Sequence, residues 1–170
     1  INPEEATHRV NELRELTRGA LAEMRTLLLE LRPKALADTP IGELLHQLGE
    51  AAVGRARVPV TVDAQTSAEL PVSVKVAFYR IAQEALNNIA KHAGATQVSV
   101  TLRYDGADAR LCVCDDGTGF DPEQLMPDNL GLHIMRERSA AVGATLNVGS
   151  RPGEGTTIMA TWHAQPQYVQ

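Results

Sequence analysis

Residues 71–93 read PVSVKVAFYRIAQEALNNIAKHA, and the periodicity of this stretch decides the architecture around it. Pro71 stands where helices favour proline, at a start position whose N–H would have no intrahelical partner anyway. With successive residues turned by about 100°, Val74, Ala77, Phe78, Ile81, Ala82, Ala85, Leu86 and Ile89 share one arc. A helix running to about His92 buries that arc against a core. Two polar residues break the pattern. Asn88 falls at the edge of the arc, between the directions of Ala77 and Ile81, and Glu84 lies one turn before it on the same border. A half-buried carboxylate and amide at i, i+4 cost free energy unless they find partners. An internal Glu–Asn hydrogen bond or a capping interaction would satisfy them, and so would a ligand; the helix alone does not choose.

The next informative stretch is Asp115-Asp116-Gly117-Thr118-Gly119-Phe120. It follows Ala109 to Cys114, apolar on both faces and therefore expected to be a central strand. Alternating glycines permit positive φ and close backbone approach to a flat or anionic ligand. A carboxylate at a buried strand end can accept a hydrogen bond from an amine, which suits a purine ring. The same residues also read as a tight turn with two solvated aspartates. A calcium loop fits poorly, because Gly117 occupies the third position and carries no oxygen ligand. Leu130-Gly131-Leu132 opens a helix whose free N–H groups can face an anion. Gly153-Glu154-Gly155-Thr156 forms the tip of a late hairpin. No G-x-x-x-x-G-K-[ST] stretch is present, which excludes a P-loop ATPase, and the eukaryotic-type protein-kinase signatures are absent.

Outward from these motifs, residues 3–32 read as one long helix. Val10, Leu13, Thr17, Ala20, Met24, Leu27 and Leu31 alternate spacings of three and four, as in a coiled-coil seam with Thr17 as its one polar member. Pro33 stops this helix near Arg32. The seam needs a partner helix, and no equal one follows, so the segment reads as an association element. After a connection from Lys34 to Pro40, Ile41, Leu44, Leu45, Leu48 and Ala52 mark a second amphipathic helix. Val58, Val60 and Val62 alternate as a strand, as do Val98, Val100, Leu102 and Tyr104, with Asp105-Gly106 as a hairpin turn. Asp121 to Asn129 is a flexible-looking stretch, Gly131 to Val142 is helical with Gly143 ending it, and Thr145–Ser150 pairs with Thr156–His163. Residues 165–170 are an expected frayed tail. Tight hairpins argue against a parallel doubly wound sheet. The expected fold is an α/β two-layer sandwich, one mixed sheet with helices on a single face, preceded by one long coiled-coil-like helix. The domain reading is 1–33 association helix, 34–40 linker, 41–165 main domain and 166–170 tail.

The 170 residues suffice for one well-filled core, with 44% hydrophobic and 22% charged residues and only 4% aromatic ones. A formal net charge of -5 argues against a general nucleic-acid surface. No apolar run approaches the ~20 residues of a membrane span. No signal peptide opens the chain, and Ile1-Asn2-Pro3 reads as a cut inside a larger protein. Cys112 and Cys114 point to the same face of a strand. They read as small apolar packing residues, since no second Cys/His pair stands at metal-ligand spacing.

Residues 78–93, FYRIAQEALNNIAKHA, resemble the asparagine box of sensor histidine kinases. Asp115 to Gly119 is similar to their first glycine box, Asn129 to Met135 with Arg136-Glu137-Arg138 to the second, and Gly153-Glu154-Gly155-Thr156 to the closing G-x-G-T. Four motifs in this order imply the Bergerat ATP-binding fold, shared with gyrase, the heat-shock chaperone of that superfamily and mismatch-repair ATPases. The LLLELRP string at 27–33, with QEALNN and MRER, resembles kinases of the nitrate-sensor type, which pair with DNA-binding response regulators. There the segment before Arg32-Pro33 is the second helix of the dimerisation and histidine-phosphotransfer bundle.

The resemblance implies ATP and magnesium as cofactors and a set of roles. Asn88 would coordinate magnesium bridging the phosphates, and Glu84 would be catalytic beside it, polarising a metal-shell water or the incoming nucleophile. Lys91 or His92 would touch phosphate. Asp115 would bind the adenine amine, with Thr156 supporting it through water. Gly117 and Gly119 would let the chain pass the ring, and Gly131 and Leu132 would offer N–H groups to the phosphates. Asp121 to Asn129 would be an unusually short lid. The implied partners are a phosphoacceptor-histidine helix, a response regulator and a second copy in a full-length homodimer, with no direct nucleic acid. The domain would be cytoplasmic, whether its parent is membrane-bound or soluble. None of His8, His46, His92, His133 and His163 fits the acceptor, which is therefore expected before Ile1. Two other readings stay open: an ATPase or anti-sigma-type serine kinase on the same fold, and a non-catalytic nucleotide-binding module.

Overall fold

The computed structural model describes residues 33–56, 58–64, 70–104, 107–121 and 130–164, with isolated positions between Ala6 and Met24. The elements are α1 (Pro33–Asp38), α2 (Ile41–Ala56), β1 (Val60–Ala64), α3 (Val72–Asn88) with a π-helical continuation (Ile89–Ala93), β2 (Val98–Tyr104), β3 (Asp108–Asp115), α4 (Leu130–Ala140), β4 (Thr145–Ser150) and β5 (Thr156–His163). The five strands form one sheet in the order β1-β2-β3-β5-β4. β1 runs parallel to β2, and the remaining pairs are antiparallel. This is the mixed two-layer sandwich the sequence implied, with β3 at the centre.

Period-two alternation sorts the strands into two faces. Val98, Val100 and Leu102 of β2, Ala109, Leu111 and Val113 of β3, and Ile158 and Ala160 of β5 are buried under the helices. Residues between them, such as Arg103, Arg110, Cys112 and Cys114, are exposed or half-buried on the opposite face. The cysteine pair therefore does not pack into the core, as its small apolar character suggested; it sits half-buried on the open side of the sheet.

All eight residues of the α3 arc are buried. Tyr79 joins them, because α2 and α4 both pack against α3, so this helix buries more than the single stripe a sheet requires. The helical run extends to Ala93 as expected, but its last turn widens to π geometry and ends at Gly94 in the left-handed region, φ 56°. Such widened turns are often found at functional sites.

The connection from Lys34 to Pro40 is more ordered than its sequence suggested. Pro33 opens α1, taking the start position that tolerates a missing N–H. Leu36 is buried in the core. Lys75 of α3 donates from Nζ to the carbonyls of Ala37 and Thr39, which the end of a short helix otherwise leaves open.

The described positions between Ala6 and Met24 are helical. Of the expected seam, Val10, Leu13 and Met24 are 57%, 65% and 62% exposed, and Thr17 and Ala20 are exposed too. Thr17 returns its hydroxyl to the Leu13 carbonyl at 2.7 Å, which satisfies the one polar member of the seam. Leu27 and Leu31, the Asp105-Gly106 turn, residues 122–129 of the expected lid and the tail at 165–170 lie outside the described residues.

Candidate functional site

A cavity of about 410 Å³ opens between α3 with its π turn, the start of α4, and the adjoining ends of β3 and β5. That volume suits a small-molecule ligand. Ala85, Ile89, Ala93, Val113 and Ile158 supply apolar walls, and Asn88, His92, Asp115, Thr118 and Thr156 bring the polar groups. Phe120 and Leu130, on either side of residues 122–129, also line it.

Asp115 ends β3 directly opposite Thr156 of β5. Its carboxylate accepts hydrogen bonds from the N–H of Gly117 at 2.9 Å and from the N–H of Thr156. Burial pushes its pKa up from the usual aspartate value, and those two donors act against the rise. An ionised carboxylate has about four lone-pair sites, so capacity remains to accept from an amine in the cavity. Asp116 has a different job. It is exposed and accepts from the N–H groups of Thr96 and Gln97 at 2.7 and 2.8 Å and from the Thr96 hydroxyl, which holds its carboxyl below the usual value. The paired aspartates thus divide into one that faces the cavity and one that ties the loop to residues 96 and 97.

Ser150, which the sequence did not single out, organises the floor beneath Thr156. Its hydroxyl donates to the Gly155 carbonyl at 3.0 Å, accepts from the Phe120 N–H at 2.9 Å, and lies 3.0 Å from the Thr156 hydroxyl. A hydroxyl has one hydrogen, so with Ser150 donating to Gly155, Thr156 donates to Ser150 and keeps its own lone pairs for the cavity. The available signal was position: Ser150 is the last inward residue of β4 before the turn.

The glycines serve contacts between chain segments. Gly117 is buried, and a Cβ there would strike the Ala93 carbonyl and stand 2.8 Å from Asp115 Oδ1. Gly119 has φ +57°, and a side chain on it would meet the Arg151 carbonyl. The Gly153 N–H donates to the Thr118 carbonyl at 2.7 Å, locking this loop onto the β4–β5 turn. Gly119 lines the cavity and Gly117 does not.

At the other end of the cavity, α4 starts against α3. A Cβ on Gly131 would overlap Glu84 Oε1 and stand 3.3 Å from Asn88 Nδ2. Glu84, Asn88 and Gly131 therefore meet, with Asn88, Gly131 and Leu132 on the cavity wall and Glu84 half-buried behind them. The internal Glu84–Asn88 hydrogen bond that the sequence left open is not formed. Among the described residues neither side chain has a protein partner. His92 stands exposed on the rim, whereas Lys91 is exposed and outside the cavity lining. The apolar wall was the part not read from sequence, although Val113 and Ile158 are the inward positions next to Asp115 and Thr156.

Among the described residues no helix is long and apolar enough to cross a membrane, and no group of three or more His, Cys, Asp or Glu side chains is placed to hold a metal.

A family model described as histidine kinase-, DNA gyrase B-, and HSP90-like ATPase matches residues 73–166. The chain is 34% identical over 150 residues to the sensor histidine kinase LiaS of Bacillus subtilis, covering 88% of this chain and 41% of LiaS. It is 34% identical over 146 residues to the sensor protein VraS of Staphylococcus haemolyticus, covering 86% of this chain and 42% of VraS. It thus spans about two fifths of the length of these curated relatives. The solved histidine kinase domain of the blue-light activated kinase from Erythrobacter litoralis superposes with TM-score 0.57 at 29% identity, covering 69% of this chain and 63% of that one. Motif order, cavity and relatives agree: the chain belongs to the histidine kinase-, DNA gyrase B-, and HSP90-like ATPase family, whose model spans residues 73–166.

Proposed function

We propose that the cavity holds Mg-ATP and presents its γ-phosphoryl group to a histidine on a separate helix, for onward transfer to the aspartate of a response regulator. The observation that carries this reading is the pair Glu84 and Asn88, half-buried at the start of α4 and without a protein hydrogen-bond partner among the described residues. A carboxylate and a carboxamide left open in this way offer the oxygen donors a hard divalent cation prefers. Asn88 would hold magnesium, and Glu84 beside it would orient a water or the incoming nucleophile. Bound there, the metal would neutralise charge on the phosphates.

The chain's own groups do the rest of the positioning. Asp115 accepts from the adenine amine, Thr156 presents lone pairs beside it, and Ile89, Val113 and Ile158 bury the ring. The open N–H groups at Gly131 and Leu132 face phosphate oxygens, with His92 at the rim. Catalysis of phosphoryl transfer is then largely placement and electrostatics. The exposed stripe of Val10, Leu13 and Met24 supports pairing of this helix within a dimeric bundle. The nitrate-sensor-type motifs in the sequence support a DNA-binding response regulator as the eventual phosphate recipient.

The test is incubation with γ-labelled ATP, alone and with a fragment carrying an acceptor-histidine helix. The expected result is no label on this chain alone and acid-labile label on the added helix. Free phosphate without any labelled protein would favour an ATPase, and an acid-stable label would favour a serine kinase.

A further inference from the structure

The open face of the sheet carries a second cluster with its own chemistry. Cys112 and Cys114, two apart on β3, turn their sulfur atoms toward one another at 3.3 Å. The antiparallel register sets Met159 of β5 directly opposite Cys112. Residues opposed in this way have Cβ atoms about 4.5–5.5 Å apart, so Met159 stands beside Cys112 on the same face, a thioether within one side-chain rotation of the pair. Thr157, opposite Cys114, donates its hydroxyl to the Cys114 sulfur at 3.5 Å. All three sulfur residues are half-buried: accessible to an ion, yet partly screened from water.

We propose that Cys112, Cys114 and Met159 form a binding site for a soft monovalent metal ion of the copper(I) class. Two thiolates and a thioether form the donor set that selects such ions over magnesium or calcium, which need oxygen ligands. Zinc is disfavoured, because structural zinc sites want four ligands of the Cys, His or carboxylate kind, and the remaining cross-strand neighbours are Ser99, Thr101 and Thr157. Binding releases two protons, one from each thiol, and leaves a bis-thiolate complex with one net negative charge. Arg110, two residues before Cys112 on the same face, stands where its guanidinium offsets that charge.

A disulfide is the competing use of the pair, and the strand opposes it. At about 3.4 Å rise per residue, alternate Cα atoms of a strand lie some 6.8 Å apart, at the upper end of disulfide geometry. β3 is held in register on both sides, by β2 and β5, so it cannot easily contract. An ion bridging the sulfurs needs rotation of the side chains and no approach of the backbone.

The test is anaerobic titration of the chain with copper(I) against a chromophoric copper(I) chelator, with silver(I) as a redox-inert second probe. The expected result is one ion per chain, with ultraviolet absorption from thiolate-to-metal charge transfer. Replacing both Cys112→Ser and Cys114→Ser should abolish it. Met159→Leu should raise the dissociation constant by roughly tenfold or more, the scale on which even supporting residues of metal sites act. Far-ultraviolet circular dichroism and ATP binding by these variants would show that the fold persists. Equal binding by the double serine variant, an unchanged constant in Met159→Leu, or formation of a disulfide in place of the metal complex would each overturn the proposal.

Discussion

The Cα of Gly131 abuts the carboxylate of Glu84, so closely that a Cβ at position 131 would overlap Oε1. Two residues far apart in the chain are thereby fitted to each other: the glycine at the start of α4 and the acidic residue one turn before Asn88.

Gly131→Ala should therefore push the unpartnered Glu84 carboxylate aside, at little cost in stability because the end of a flexible side chain can rotate away, and weaken ATP binding. Gly149→Ala, where a Cβ meets nothing within 4 Å, should leave both unchanged. Thermal unfolding and calorimetric ATP titration of the two variants provide the comparison.

Asp115→Asn should weaken ATP binding by about 2–5 kcal/mol, the range for breaking a buried charged hydrogen bond. The raised pKa of Asp115 adds a pH signature. Acidification protonates the carboxyl and converts an acceptor into a donor, so affinity should fall as pH drops through a range above that of an ordinary aspartate. In Asp115→Asn that component should be missing, and calorimetry of both proteins across the acidic range separates it from protonation of the nucleotide.

Asn88→Ala should remove most of the magnesium dependence of ATP binding while leaving affinity for an adenine nucleoside largely intact, since Asn88 stands at the α4 end of the cavity, away from Asp115. Parallel titrations with ATP and adenosine, each with and without magnesium, check the assignment.

Lys75→Met should loosen α1 from the domain. A charged donor to backbone carbonyls contributes about 1.5–3 kcal/mol, and the half-buried ammonium of Lys75 belongs toward the lower end. Hydrogen exchange should rise at Thr39, whose N–H bonds to the Ala35 carbonyl in the same turn, with little change in β3.

Asp116→Asn should cost stability at neutral pH through the lost bonds to Thr96 and Gln97. The folded carboxyl is held below its unfolded value, so its contribution is present above the unfolded pKa and disappears as pH falls through the folded one. Denaturant unfolding of wild type and variant should accordingly differ at neutral pH and converge in strong acid.

The eight-residue arc of α3, the alternation of Val98, Val100 and Leu102, and the four motifs in order were legible because each depends only on spacing along the chain. They sufficed for the two-layer fold, for β3 at its centre, and for Asn88, Asp115 and Thr156 as cavity residues. What depends on contact between distant segments was not legible. Spacing could not say what Asp116 does beside Asp115, because its partners Thr96 and Gln97 lie in another loop. Nor could spacing say that Gly117 and Gly119, expected to let the chain pass a ring, also make room for Ala93 and Arg151. The same holds on the open face, where the Cys112–Cys114 spacing brought two sulfur atoms together and only the β3–β5 register set a third, from Met159, opposite them. Local periodicity determined which faces are buried; strand register and loop packing decided which side chains meet.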